Sequence, residues 1–385
     1  MKTSLTGRFI GLVAGFLLTN GCVDPAEQAP PGTLVVSQEQ AASWSRNFNP
    51  LLPSGTARWA ATACIYEPLL IFNTVTQEWV PRLASEFHWV EEGTVLALKI
   101  RPGVQWSDGT PFSTQDVLYT FSLLKEVPIL DSSDVWSFIE SIEPQSDNWI
   151  HFRFQRPYVP GLAHIGHQLI VPEHIFSKVE QPETFSNPNP VGTGPFTEIL
   201  KFDQQVWDLG RNPFYWQEGK PMVEVLRFPA FPDNDQANVA LIRGEVDWAG
   251  NFVPAIDRIY VDRDPIHHHY WFPLISSTIF LYANTQQEIL GDPRVRKALS
   301  YAIDRQRVTR VGMYNYTRAA SPTGLSMAHN KWIDQSIETG NDWTQYQPDR
   351  AIELLEQAGL KRDAKGQWRD ANNERLSFEL TVPAG

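Results

Sequence analysis

Cysteine is nearly absent from this chain: 385 residues contain only Cys22 and Cys64, so no disulfide framework holds it together. Basic charge is also short. Thirty-two Lys and Arg face 44 Asp and Glu, a formal net charge of −12, which excludes the basic face that a nucleic-acid partner requires. The longest apolar run, Phe9–Leu18, is about half of what a membrane span needs. There is no Gly-x-Ser-x-Gly elbow, His-Glu-x-x-His, Walker loop or Cys-x-x-Cys, so the common signatures of nucleophilic, zinc, nucleotide and dithiol chemistry are missing. No repeat of fixed period occurs, which excludes a solenoid. What remains is a globular balance, 42% apolar and 20% charged, long enough for two or three domains.

Tryptophan and proline are plentiful, at 14 and 29. Trp rings bury much area at little entropy cost, and they serve either cores or aromatic-walled clefts. The N-terminus reads as charge, oil, then small residues: Lys2 and Arg8, the run Phe9–Leu18, then Thr19-Asn-Gly-Cys22. That order predicts a secretory signal peptide. Its Gly-Cys end is similar to the bacterial lipoprotein signal, which implies acylation of Cys22, although Thr19 stands where that signal usually has Leu. The alternative is ordinary secretion with cleavage elsewhere. Either way the chain is expected outside the cytoplasm, periplasmic or at the cell surface, with residues 1–22 as signal and 23–32 as a Pro-rich flexible tether. Cys64 is then expected to be a buried thiol.

Further along, Thr33–Ser37 predicts a strand, and apolar spacing over 57–72 a helix ending near Phe72. Strands are expected at Phe87–Val90, Thr94–Ile100, Val104–Trp106 and 149–154, with turns at Pro102-Gly103 and Asp108-Gly109. Ser113 predicts a cap for a helix reaching about Lys125. Gly192-Thr-Gly-Pro-Phe196 leads into a strand at 196–202, followed by strands at 206–209 and 223–228 and a helix over 233–243. Strands at 279–283 and 376–382 and helices over 292–303 and 349–358 complete the pattern.

Few residues suggest chemistry. Gly192-x-Gly194 lacks a third glycine and reads as close backbone packing rather than a phosphate cradle. His164, His167 and His174, and the run His267–His269, are the only histidine groupings. Three adjacent histidines on a strand would alternate faces, so neither grouping predicts a metal site. Asp233 and Asp235 precede a helix and read as caps rather than as a general-acid pair. No cofactor is expected.

One resemblance gathers the motifs. Leu96-Ala-Leu-Lys-Ile-Arg-Pro-Gly-Val-Gln-Trp-Ser-Asp-Gly-Thr-Pro-Phe-Ser-Thr-Gln-Asp-Val-Leu-Tyr119 closely resembles the signature of the family 5 extracellular solute-binding proteins, the oligopeptide-, dipeptide- and nickel-binding components of ABC importers. Tyr66-Glu-Pro-Leu-Leu70, Gly192–Phe196, Arg211-Asn-Pro-Phe-Tyr-Trp216, Arg243-Gly-Glu-Val-Asp247, Asn284-Thr285 and Asp292–Arg305 follow in the family's order. The resemblance implies a bilobal α/β fold of the periplasmic-binding-protein type (type II). Lobe one would be discontinuous (33–65 and 190–275), with an inserted small domain at 66–189 and lobe two beginning at 276. It also implies that Ser54, Gly55 and Thr56 contact a ligand backbone and that Trp136 projects a ring toward the ligand. The family's aspartate for a ligand α-amine would lie beyond Gly385, so the second lobe is expected to be incomplete, lobe one to lack its returning segment, and the product to aggregate readily.

The expected function is capture of oligopeptides outside the inner membrane and their delivery to ABC permease subunits, by a lipid-anchored, non-enzymatic monomer. Alternatives are an oligosaccharide receptor of the same family, which the many Trp would suit, and, from another class, a secreted hydrolase.

Overall fold

The computed structural model describes residues 31–52, 58–91, 93–146, 148–271, 278–340 and 342–381. Thr33–Ser37 (β1) is the strand its β-branched and apolar residues favour. Arg58–Ala60 opens a helix that continues as a π-helical turn, Ala61–Ile65, and stops there rather than near Phe72. The early stop follows from Glu67-Pro68, because a proline ring disfavours helical backbone at the residue before it. Leu70–Asn73 (β2) instead pairs with Glu78–Pro81 (β3) as a hairpin.

Four antiparallel strands come next: Ala84–Glu91 (β4), Val95–Ile100 (β5), Ile139–Pro144 (β6) and Trp149–Phe154 (β7), in the order β4-β5-β7-β6. The strand expected at Val104–Trp106 is only a bridge between Gln105 and Pro111. Left-handed turns at Gly103 (φ 77°) and Gly109 (φ 85°) bend the chain on both sides and leave no length for a ladder. Thr114–Glu126 (α1) begins in a full capping box, with the Ser113 and Asp116 side chains each satisfying the other's backbone N–H. Its Val117, Phe121 and Leu124 are buried. Gly161–Gly166 (α2) follows β7.

The chain then builds Phe196–Phe202 (β8), Val206–Arg211 (β9) and Val225–Pro229 (β10), then Asn234–Ile242 (α3) under an Asp233 cap, then Trp248–Ala249 (β11). These strands join β1 in a second sheet, ordered β11-β1-β10-β9-β8. β1 runs parallel to both of its neighbours, while the remaining pairs are antiparallel. Arg227 and Asp208 face each other across β10 and β9 and form a buried bidentate pair, both bonds 2.8 Å.

One continuous apolar core lies under both sheets, from Val36 and Phe48 through Trp106, Phe121 and Phe152 to Trp207 and Phe228. Trp207 has no exposed surface and stacks on Phe228 at 4.3 Å, with Phe48 at 5.3 Å. Trp207→Ala is expected to cost ~3–5 kcal/mol, read as a shift of the urea unfolding midpoint.

Downstream, Pro293–Ala302 (α4) and Pro348–Gln357 (α6) form where the sequence places helices and pack through Ala298, Tyr301, Ala351 and Leu354, while Arg305–Gly312 (α5), capped by Asp304, is a helix that the sequence reading did not expect. The strands expected at 279–283 and 376–382 are not formed in the described residues. A strand exists only where its backbone groups find a ladder; among the described residues no strand pairs with 279–283, and beside 376–381 there is only the Arg369–Arg375 bridge and the Leu376 N–H bond to Trp368 O (2.8 Å).

The conspicuous motifs interlock behind the sheets. A Cβ at Gly192 would lie 2.0 Å from the Ile65 carbonyl oxygen, and one at Gly194 2.1 Å from that of Cys64. The Gly-Thr-Gly turn is therefore close backbone packing against the π-helical turn, with Gly194 N–H donating to Ile65 O (2.9 Å). Asn212 Nδ2 donates to Gly194 O (2.9 Å) and joins a third motif. Beside this contact Glu67, its side chain 3% exposed, takes the Arg82 guanidinium at 2.9 Å and the Trp216 indole N–H at 2.8 Å. Arg101 donates to the Arg82 carbonyl (2.7 Å) and lies 4.3 Å from the centroid of the Trp216 ring. Burial pushes the Glu67 carboxyl above its ordinary range, against the pull of Arg82, Trp216, Thr193 and Tyr215.

Candidate functional site

In open α/β sheets ligands bind beyond the C-terminal ends of the parallel strands. Here the parallel strands are β10, β1 and β11, and the last residues of β1 pair with β11, Val36 to Trp248 and Ser37 to Ala249. Asp247 fixes the pairing twice: its carboxylate accepts from Val35 N (2.8 Å) and its own N–H donates to Val35 O (3.0 Å). Past the strand ends lie Gln38–Gln40 on one side and Gly250-Asn251 on the other. Gly250 allows a close approach, since a Cβ there would meet Gln38 Oε1 at 2.1 Å.

Two kinds of surface meet at this edge. One is amide chemistry: Gln40 Nε2 donates to Asn251 Oδ1 (2.8 Å), as does Ser37 Oγ (3.3 Å), and Asn251 Nδ2 reaches Asn238 Oδ1 (3.5 Å). The other is aromatic. Trp59, whose N–H donates to Glu39 Oε1 (2.7 Å), meets Trp248 edge-on at 5.5 Å, and Trp248 is 44% exposed. Polar groups placed beside exposed rings are the usual lining of an organic-ligand site.

The model of the bacterial extracellular solute-binding proteins, family 5, matches residues 78–385, well over half of the chain. The chain belongs to that family. Among similar proteins is one of Brucella ovis named for ABC-transporter peptide binding, 28% identical over 323 residues, which cover 81% of this chain and 58% of that protein. A dipeptide-binding protein of Escherichia coli is 26% identical over 82% of this chain and 62% of its own length. A periplasmic oligopeptide-binding protein of Thermotoga maritima shares the fold at a TM-score of 0.78, with 25% identity over 91% of this chain and 66% of that one. The family 5 chain thus spans about three fifths of the length of these curated relatives.

Of the residues expected to touch ligand, Ser54, Gly55 and Thr56 lie outside the described residues, as does the acylation candidate Cys22. Their described neighbour, Trp59, stands at the strand-end surface. Trp136 sits elsewhere, against α1 and just ahead of β6. Its indole N–H donates to the Phe121 carbonyl (2.8 Å), Lys125 Nζ lies 4.3 Å from its ring centroid, and it lines a shallow hollow with Lys125, Ile139, Glu140 and Gln155.

The histidine groupings disperse. His174 pairs with Asp108 (2.8 Å), His167 Nε2 accepts from Phe72 N (3.3 Å), and His164 stacks along Tyr158. His267, His268 and His269 lie in a turn rather than a strand and bond separately to Asp264, Tyr260 O and Ile266 O. Among the described residues no three His, Cys, Asp or Glu side chains gather as metal ligands. Cys64 is buried, and burial raises its thiol to about 12, so it is inert at neutral pH.

Trp248, Asn251 and Glu39 are the residues that sequence reading did not reach. Trp248 immediately follows the Arg243–Asp247 motif, and that position was the available signal. The parallel pairing of β1 with β11, across more than two hundred residues, left none.

Proposed function

We propose that this chain is the ligand-capturing component of an ABC importer and that its ligand is a peptide. The observation that carries the reading is the strand-end surface, where Gln40, Asn251 and Ser37 stand beside Trp59 and Trp248. Carboxamides bond to peptide N–H and C=O groups whatever the ligand sequence, and rings add contact area tolerant of side-chain identity. Membership of an extracellular solute-binding family and relatives named for peptide and dipeptide binding support the same reading. In this proposal the five-stranded sheet is lobe one, the four-stranded sheet is an inserted domain, and residues 276–385 start lobe two. Ser54–Thr56 join the carboxamides at the ligand backbone, and Trp136 meets the ligand from the inserted domain. The protein works without catalysis, anchored outside the inner membrane through acylated Cys22, and passes ligand to permease subunits.

The test is titration calorimetry of the chain against di- to pentapeptides and against cello-oligosaccharides. Peptides are expected to bind and to change tryptophan fluorescence, and Trp248→Ala to weaken them about tenfold. Binding of the sugars alone would replace the peptide with a carbohydrate ligand. Hydrolysis of either would end the non-enzymatic reading.

A further inference from the structure

Directly after Asn251 the chain places Phe252 beside two tyrosines that follow α5. Helix α5 ends at Gly312, and Tyr314 (φ 51°) and Asn315 (φ 62°) take left-handed backbone in succession, with Asn315 N–H returning to Thr309 O (3.0 Å). A bulky non-glycine residue with positive φ is uncommon and persists only where its surroundings hold it. Here the holding contacts are visible. Tyr316 N–H donates to Met313 O (2.7 Å), and the Tyr316 hydroxyl accepts from Ile256 N (3.0 Å), which ties the segment to the end of the β11 strand connection. Tyr314 stacks on Tyr316 at 6.0 Å and 25°, and Phe252 stands 6.3 Å from Tyr314 and 6.5 Å from Tyr316, inclined at 42° and 60°. Tyr316 also packs against the small core of Ala240, Leu241, Val246, Val253 and Ile256, whereas Tyr314 is 48% exposed. The result is a cluster of two stacked tyrosines and a phenylalanine inclined to both, with Tyr314 half in solvent and held in a costly backbone conformation, and with Phe252 directly following Asn251 in the chain.

We propose that Phe252, Tyr314 and Tyr316 form an aromatic subsite that takes an aromatic side chain of the peptide. This rests on the peptide reading above and adds a side-chain preference to it. The inclination of the rings selects the occupant: aromatic rings prefer offset or edge-to-face contacts with centroids 4.5–7 Å apart, the geometry these three already share. The carboxamides of Gln40 and Asn251 hold the backbone of the same peptide, so the subsite governs which peptide is preferred and not whether peptides bind.

The experiment compares Ala-Phe-Ala with Ala-Ala-Ala by calorimetry on the full chain, as found and as Tyr314→Asn and Phe252→Ala. Tyr314→Asn removes the ring while supplying a residue that tolerates left-handed backbone, so loss of folding does not confound it. Circular dichroism and the thermal midpoint check both variants. The unmodified chain is expected to prefer Ala-Phe-Ala about tenfold, and both variants to lose most of that preference with Ala-Ala-Ala affinity retained. Preference that survives both substitutions overturns the subsite, as does equal weakening of both tripeptides. If the unmodified chain binds both tripeptides equally, the subsite falls and the peptide reading stands. If it binds neither, the peptide reading falls and takes the subsite with it.

Discussion

Gly192→Ala and Gly194→Ala are each expected to abolish cooperative folding, a loss above ~3 kcal/mol. A Cβ at either position would overlap a backbone carbonyl oxygen of the π-helical turn, at 2.0 and 2.1 Å. A flexible side chain can swing away from such a contact, but a carbonyl inside a hydrogen-bonded turn cannot move alone. Displacing it would break the Gly194-to-Ile65 bond and shift Tyr66, whose hydroxyl accepts from Asn187 Nδ2 at 2.6 Å. The control is Gly340→Ala, where nothing lies within 4 Å and the residue closes a helix. That substitution is expected to be neutral or to stabilise by about 0.5 kcal/mol. Urea unfolding followed by far-UV dichroism measures all three, and a near-parental midpoint for either of the first two variants would show that the two backbones can separate at little cost.

Much of the scaffold was legible because its signals are local. Ser113 with Asp116, Asp233, and Asp292 with Pro293 announce helices through side chains that bond to the first-turn N–H groups, and each helix starts where its cap stands. The resemblance rested on motifs of this scaffolding kind. Tyr66–Leu70, Gly192–Phe196 and Arg211–Trp216 meet behind the sheets, so they identify the fold rather than the ligand surface. Two things were not legible. Leu70–Phe72 continues the apolar spacing of the preceding helix, and only the hairpin partner Trp79–Pro81 turns it into a strand. The candidate site depends on a parallel pairing between Ser37 and Ala249, which no local pattern encodes. Residues 376–382 alternate as strands do and 279–283 is a short apolar run, yet neither pattern supplies a ladder.

Arg82→Met is expected to cost about 3–5 kcal/mol at pH 8, and part of that loss should return on acidification. Glu67 would keep its Trp216 and Tyr215 partners but lose the guanidinium at 2.9 Å, leaving a carboxylate in a site where burial already holds its pKa above the ordinary value. Without Arg82 the folded-state pKa rises further. A carboxyl whose pKa is raised by folding favours the native state fully below its unfolded value, about 4.3, and loses that contribution as pH climbs through the folded value. The stability difference between parent and Arg82→Met should therefore be largest at neutral to alkaline pH and shrink steadily toward pH 4. Adding Glu67→Gln to Arg82→Met removes the titrating group, so the double variant should lose the Glu67 pH dependence that the parent shows and Arg82→Met exaggerates. Urea midpoints taken at pH 4, 5, 6, 7 and 8 distinguish the cases. Parallel curves for parent and Arg82→Met would mean that the positive charge of Arg101, whose guanidinium also interacts with Glu67, keeps the carboxylate ionised unaided.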